Sequence, residues 1–184
     1  MCENPGSFHF PDTTRVPMRA VLLMFCNLCL LRHGPEIVPT HPWFVVAIVL
    51  SYAAVELYLA IHVGGNASLM AMCTYLLVSM AATASLTWFA LYLRQLEGRF
   101  PATITALFGS SLLLSALLAV MMQFTGAVES LATRSLAIVI GMWTMIVWGF
   151  MLHRSMNVSW ATGMVLSVGT ILLSVALGNV ASAP

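Results

Sequence analysis

Glu56 lies thirteen positions after Trp43 in the stretch W-F-V-V-A-I-V-L-S-Y-A-A-V-E-L-Y-L-A-I-H-V and is the one acidic residue of this chain set inside a long apolar run. A carboxylate there must be neutralised or paired, because holding it ionised in an apolar medium costs several kcal/mol. Burial favours a protonated carboxyl able to donate a hydrogen bond to a neighbouring helix. Tyr52, at i−4, can meet it on the same helix face. Two chemistries follow: a site for a proton or cation, or a neutral lock that ties helices through Ser or Thr. Proton pathways usually need more than one intramembrane ionisable group, and only His62 lies within two turns. Six residues separate it from Glu56, which puts the two on different faces, so His62 with Asn66 reads as an end-of-helix pair flanking a route outward or anchoring at an interface.

The remaining reactive side chains form no recognisable site. His33, His41 and His153 fall near segment ends, and no H-x-x-x-H, E-x-x-H or D-x-x-H spacing supports a metal site. Cys26-Asn27-Leu28-Cys29 is formally C-x-x-C, but it sits among Leu, Met and Phe and not at the start of a helix in a soluble α/β fold, so the thiols are expected to act as small apolar residues. Thirteen Met without clustered Met or Cys-Met spacing read as packing material. G-x-S-x-G, P-loop, H-E-x-x-H and paired Asp/Glu motifs are absent. No cofactor and no metal are expected.

The elements that hold these residues follow from composition. Of 184 residues, 60% are hydrophobic and 7% charged, mean hydropathy is +0.96, and seven Arg with six acidic residues leave a net charge of +1. So few charges cannot cover a water-soluble particle or form a nucleic-acid interface. A span takes about 20 mostly apolar residues, so the chain has room for roughly five or six. The fold class is all-α integral membrane: a five-helix transmembrane bundle preceded by a short interfacial helix. Residues 1–18 read as an irregular cytoplasmic arm with no removable signal peptide. Residues 19–42 hold a twelve-residue apolar helix from Ala20 to Leu31, too short to cross, which docks near the surface or dips in without crossing, and then the Pro-rich connector P-E-I-V-P-T-H-P. The bundle, 43–184, has spans at about 43–63, 67–93, 102–125, 135–152 and 158–180. Short loops make sequential spans antiparallel neighbours.

Counting Arg at span ends orients the chain. With the N-terminus inside, Arg15, Arg19, Arg32, Arg94, Arg99 and Arg154 are cytoplasmic and only Arg134 is outside, so the short C-terminal tail lies outside; the expected location is a plasma (bacterial inner) membrane. Small residues mark close helix contacts. Ser159, Gly163, Ser167, Thr170, Ser174 and Gly178 form one continuous stripe on the last span, Ser79, Thr83 and Thr87 a line on the second, and Ser111, Ser115 and Ala119 another on the third. Such stripes pack a bundle internally or face a second protein. Of the five Trp, 43, 88 and 160 suit an interfacial belt, while Trp143 and Trp148 fall deeper.

An N-terminal arm, a short apolar helix, the stretch L-L-R-H-G-P-E-I-V-P and five spans together resemble the Yip-type family of five-span membrane proteins, with the local pattern L-R-x-G-P-x-x-x-P from Leu31 to Pro39. Eukaryotic members of that family interact with Rab-type GTPases in membrane traffic, so the resemblance implies a non-enzymatic interaction protein and transfers no catalytic residue. The expected function is that of an inner-membrane scaffold or accessory subunit acting through helix–helix contacts, in a membrane protein complex or a homo-oligomer, with the bilayer as its other partner and no nucleic acid. The second expectation is a small proton-coupled transporter using Glu56, and the third a membrane enzyme. The first two carry distinct demands on Glu56: a lock tolerates Gln, whereas a proton carrier does not.

Overall fold

A computed structural model describes residues 18–32, 34–63, 68–125 and 131–182, and among these there are helices and no strands. Asn66 and His33 lie outside the described residues. Six α-helices follow one another: α1 (Met18–Cys29), α2 (Pro42–Val63), α3 (Leu69–Leu93), α4 (Phe100–Thr125), α5 (Leu131–Met156) and α6 (Trp160–Ser182). Helices α2 to α6 are each long and apolar enough to cross a bilayer, which makes the chain a multi-pass membrane protein. They are apolar on every side, as expected of helices that face lipid outward and one another inward.

Local sequence sets where the helices start and stop. Pro42 and Pro101 occupy first turns, where a missing N–H costs nothing. The Ser68 hydroxyl accepts from the Ala71 amide at 3.2 Å, and the Ser159 hydroxyl from Thr162 at 3.2 Å, each capping a helix start. Helices α1, α3 and α5 stop at residues in the left-handed region, Leu31 (φ 59°), Gln95 (φ 56°) and Asn157 (φ 52°). The next amide then reaches back five residues: Arg32 to the Asn27 carbonyl, Leu96 to Leu91 and Val158 to His153. Helix α5 outruns the 135–152 expected for the fourth span at both ends. At its last turn Arg154 packs its guanidinium 5.8 Å from the centre of the Phe150 ring, and His153 bonds the Val158 carbonyl, so two polar residues extend the helix instead of ending it.

Around the bundle the order is α2, α4, α5, α6, α3 and back to α2. The extensive contacts join α3 to α6, α5 to α6, α2 to α4 and α4 to α5, while the consecutive pairs α2–α3 and α3–α4 touch over short stretches. Short loops thus join antiparallel spans without making every sequential pair principal neighbours. What decides the pairing is the placement of small residues. A Cβ on Gly163 would stand 2.5 Å from the Gly149 carbonyl oxygen, and one on Gly178 2.8 Å from the Tyr75 ring, so α6 lies close on both α5 and α3.

The two halves of the bundle differ. Call the end carrying Arg94, Arg99 and Arg154 the basic end. There the bundle is solid: Leu91, Ile104, Leu107, Val147, Met151, Leu152 and Met156 form one buried cluster with Phe25, Leu28 and Val38 from the N-terminal segment. Helix α1 contributes through a notch. The Phe25 ring fills the space at Gly109, where a Cβ would stand 2.0 Å from it, and the Cys29 thiol points to the Ser110 carbonyl at 3.7 Å. The Cys29 carbonyl accepts from Trp143 Nε1 at 3.1 Å. Ser110 is ten residues into α4, so the end of α1 sits at the middle of the long helices and not at their rim. Five residues later Gly34 lies 3.5 Å from the Arg154 side chain, back near the end of α5. The short helix dips in without crossing.

Candidate functional site

Around the middle of the long helices, reaching away from the basic end, the helices part around a cavity of about 340 Å³. Every long helix contributes to its wall. Helix α2 supplies Tyr52 and Glu56, α3 supplies Tyr75, Ser79 and Thr83, and α4 supplies Phe108, Ser111 and Ser115. Thr144 and Trp148 come from α5, and Ile171 and Ser174 from α6. The volume stands at the small end of the roughly 300–1,000 Å³ usual for ligand pockets.

Glu56 is the acidic member of this wall. The Ser115 hydroxyl donates to Glu56 Oε1 at 2.6 Å, bridging α4 to α2. Tyr52, one turn before Glu56 on the same helix, lines the same space, and its ring rests on Phe108 with centroids 5.1 Å apart. Tyr75 adds a third hydroxyl-bearing side chain to the same space. Among the described residues, no Arg, Lys or His lines the cavity. A carboxylate here has no basic partner, so its charge is answered by a proton or by a cation that enters.

Other polar groups of the wall are paired with one another. Trp148 Nε1 donates to the Ser111 hydroxyl at 2.8 Å, tying α5 to α4, and the Thr83 and Ser174 hydroxyls meet at 2.9 Å between α3 and α6. One turn past Thr83, the Thr87 hydroxyl is buried without a partner, so the polar line on α3 continues from the cavity toward the basic end. Gly141 leaves its part of the wall open, with nothing within 4 Å of where a Cβ would stand. Among the described residues lining the cavity there is no imidazole beside Ser115, and the α4 amides around it belong to an unbroken helix.

The residues singled out in the sequence separate into groups. Glu56 and Tyr52 come together in the cavity. His62 does not join them: it is exposed at the far end of α2, its Nδ1 against the Tyr58 carbonyl at 2.8 Å and its ring tilted against that of Tyr58 with centroids 4.1 Å apart. On α6, Gly163, Ser167, Ser174 and Gly178 are buried, Thr170 is half-buried, and Ser159 is exposed and caps the helix. Ser167 donates to the Met145 carbonyl at 2.9 Å across to α5. The stripe is therefore a seam inside the bundle. Cys29 is buried, and burial, aided by the neighbouring Cys26, pushes its thiol up to about 12. Among the described residues no three His, Cys, Asp or Glu side chains gather as a metal site.

Sequence reasoning did not single out Tyr75, Thr144 and Trp148 as cavity residues. The signal for part of the wall was present in the lines Ser79–Thr83–Thr87 and Ser111–Ser115, which read as packing stripes. A small polar residue serves equally to bring helices together or to hydrate a gap, and only the position of its neighbours decides. Comparison with protein-family models, curated proteins and solved structures gives no match.

Proposed function

We propose that this chain is a small proton-coupled carrier in which Glu56 takes up and releases the coupling proton and the surrounding cavity holds the substrate. One observation carries the reading: the lone acidic side chain within the spans opens on a cavity walled by all five long helices, with the Ser115 hydroxyl as its partner. A pure structural lock needs the Ser115 bond and no cavity. A scaffold needs an outward contact surface, and the small-residue stripe on α6 is instead buried against α5 and α3.

The rest of the fold suits alternating exposure of one site. By the Arg count, the basic end is cytoplasmic, in a bacterial inner membrane with the N-terminus inside. The cavity then lies midway across the bundle, and its inner side is closed by the buried cluster with α1 and the Pro35–Ile37 turn. Access from inside requires that plug to move. Thr87, with its unpartnered hydroxyl between cavity and plug, lies on the inward line.

A hydrophobic carbodiimide adds to protonated carboxyl groups in apolar surroundings, and so reports both protonation and access. With the purified protein in lipid nanodiscs, labelling is expected at Glu56, falling along a single titration as pH rises, and absent from Glu56→Gln. A Glu56 that stays unlabelled at every pH, or is labelled equally throughout, would be a fixed structural donor, and the carrier reading would fall.

A further inference from the structure

We infer that the cavity is a binding site for a small lipophilic organic monocation, an amine or quaternary ammonium compound, seated on Glu56. The inference rests on the same carboxyl as the carrier reading and adds what competes with the proton there.

Charge comes first. The wall offers one carboxyl and no basic side chain, so an anion has no partner, and a neutral ligand would leave the carboxyl to its proton. Among cations, the fold selects against dehydrated metal ions. Sodium or calcium needs about six or more oxygen ligands, and membrane carriers supply several of them from unwound helix carbonyls. Helix α2 runs unbroken from Pro42 to Val63 and α4 from Phe100 to Thr125, so the carbonyls flanking Glu56 and Ser115 are committed to their own helices. What remains is one carboxyl and a few hydroxyls, too few for a bare metal ion. An ammonium group, with its charge spread over carbon substituents, needs no such shell.

The walls point the same way. Tyr52, Tyr75, Phe108 and Trp148 bring four aromatic rings to a space containing one acid, the residue combination that attracts ammonium groups through ring faces. Most of the remaining lining is aliphatic or thioether, including Met80, Met145 and Ile171, which suits an apolar body attached to the charge. A volume of about 340 Å³ is far more than a proton relay requires and matches a small organic molecule.

Binding of such a cation must compete with protonation of Glu56. The titratable groups facing that carboxyl are Tyr52 from α2 and Tyr75 from α3. The residues lining the cavity from α4, α5 and α6 carry no titratable side chain. Cation affinity is therefore governed on the acid side by Glu56 alone, weakening about tenfold for each pH unit below its titration and levelling above it.

The test uses a charged and a neutral molecule of the same shape. Benzyltrimethylammonium keeps its charge at every pH, and neopentylbenzene replaces its nitrogen by carbon. Calorimetric titration of the full-length protein in nanodiscs is expected to show saturable binding of the ammonium compound, with the acid-side pH slope above, and at least tenfold weaker binding of the hydrocarbon. Glu56→Gln is expected to abolish the preference and the slope, and Glu56→Asp to retain both. An unchanged melting temperature in either variant keeps the comparison on binding. Equal affinity for both probes, undiminished ammonium binding by Glu56→Gln, or displacement of the ammonium by equimolar sodium would overturn the inference. The two readings separate. Titratable labelling without ammonium binding removes the cation site and leaves the carrier, while loss of titratable labelling removes both.

Discussion

At the scale of single residues, the same environment that makes one side chain useful makes another inert. Glu56 and Cys29 are both polar groups held among apolar neighbours, but Glu56 faces a cavity with hydroxyl partners while Cys29 is closed over by Phe25, Leu28 and α4. With its thiol pushed up to about 12, Cys29 is neutral throughout the physiological range, and at pH 8 about one molecule in ten thousand would carry the reactive thiolate. A water-soluble maleimide at pH 8 is expected to leave Cys29 unmodified in the folded protein and to modify it after unfolding in dodecyl sulfate, read by mass spectrometry of the peptide containing it. Modification of the folded form at the rate of the unfolded one would mean that α1 does not dock as described. That Glu56 needs an answering group was legible from the sequence, since one acid in a long apolar run must be answered by something. That Tyr52 shares its face was legible too, from helix geometry at i−4. Ser115 was not, being 59 positions away on another span, because no local pattern encodes which face of α4 turns toward α2.

At the scale of elements, the five long helices were readable because apolar length alone demands them in a bilayer. Their boundaries were readable where Pro or a Ser cap marks them and misplaced where polar residues stay helical, as His153 and Arg154 do at the end of α5. Helix α1 is the informative case. Twelve apolar residues cannot cross, and composition left two placements open. The choice is made by Gly109, whose missing side chain admits the Phe25 ring, a complementarity between residues 84 positions apart. Gly109→Ala puts a methyl group where that ring lies and is expected to destabilise the protein by about 1–3 kcal/mol, the usual cost of overpacking. Removing the ring as well, in Phe25→Ala with Gly109→Ala, should recover part of that loss, because the clash then has no second party. Unfolding measured in nanodiscs for both single variants and the pair gives the coupling. Strict additivity would show that the ring and the notch do not meet.

For the whole molecule, the question is what the tight seams are for. Helix α6 presses against α5 through Gly163 and Gly149 and against α3 through Gly178, and these contacts hold two walls of the cavity at a fixed spacing. The sequence showed the stripe but could not say which way it faces, because a line of small residues looks the same whether the partner helix belongs to this chain or another. With the stripe inside, its substitution should act on folding and on the cavity, not on association. Gly163→Leu forces a branched side chain onto the Gly149 carbonyl and the His153 backbone, with 2.5 Å and 2.9 Å available even to the first carbon. The expected result is a lower melting temperature and lower yield, about 3 kcal/mol if the helices separate only locally, while the folded fraction keeps the particle mass of the parent protein in size-exclusion chromatography with light scattering. A variant that stays as stable as the parent but drops to a smaller particle would place the stripe between subunits, and the walls of the cavity would then have to be completed by a second copy.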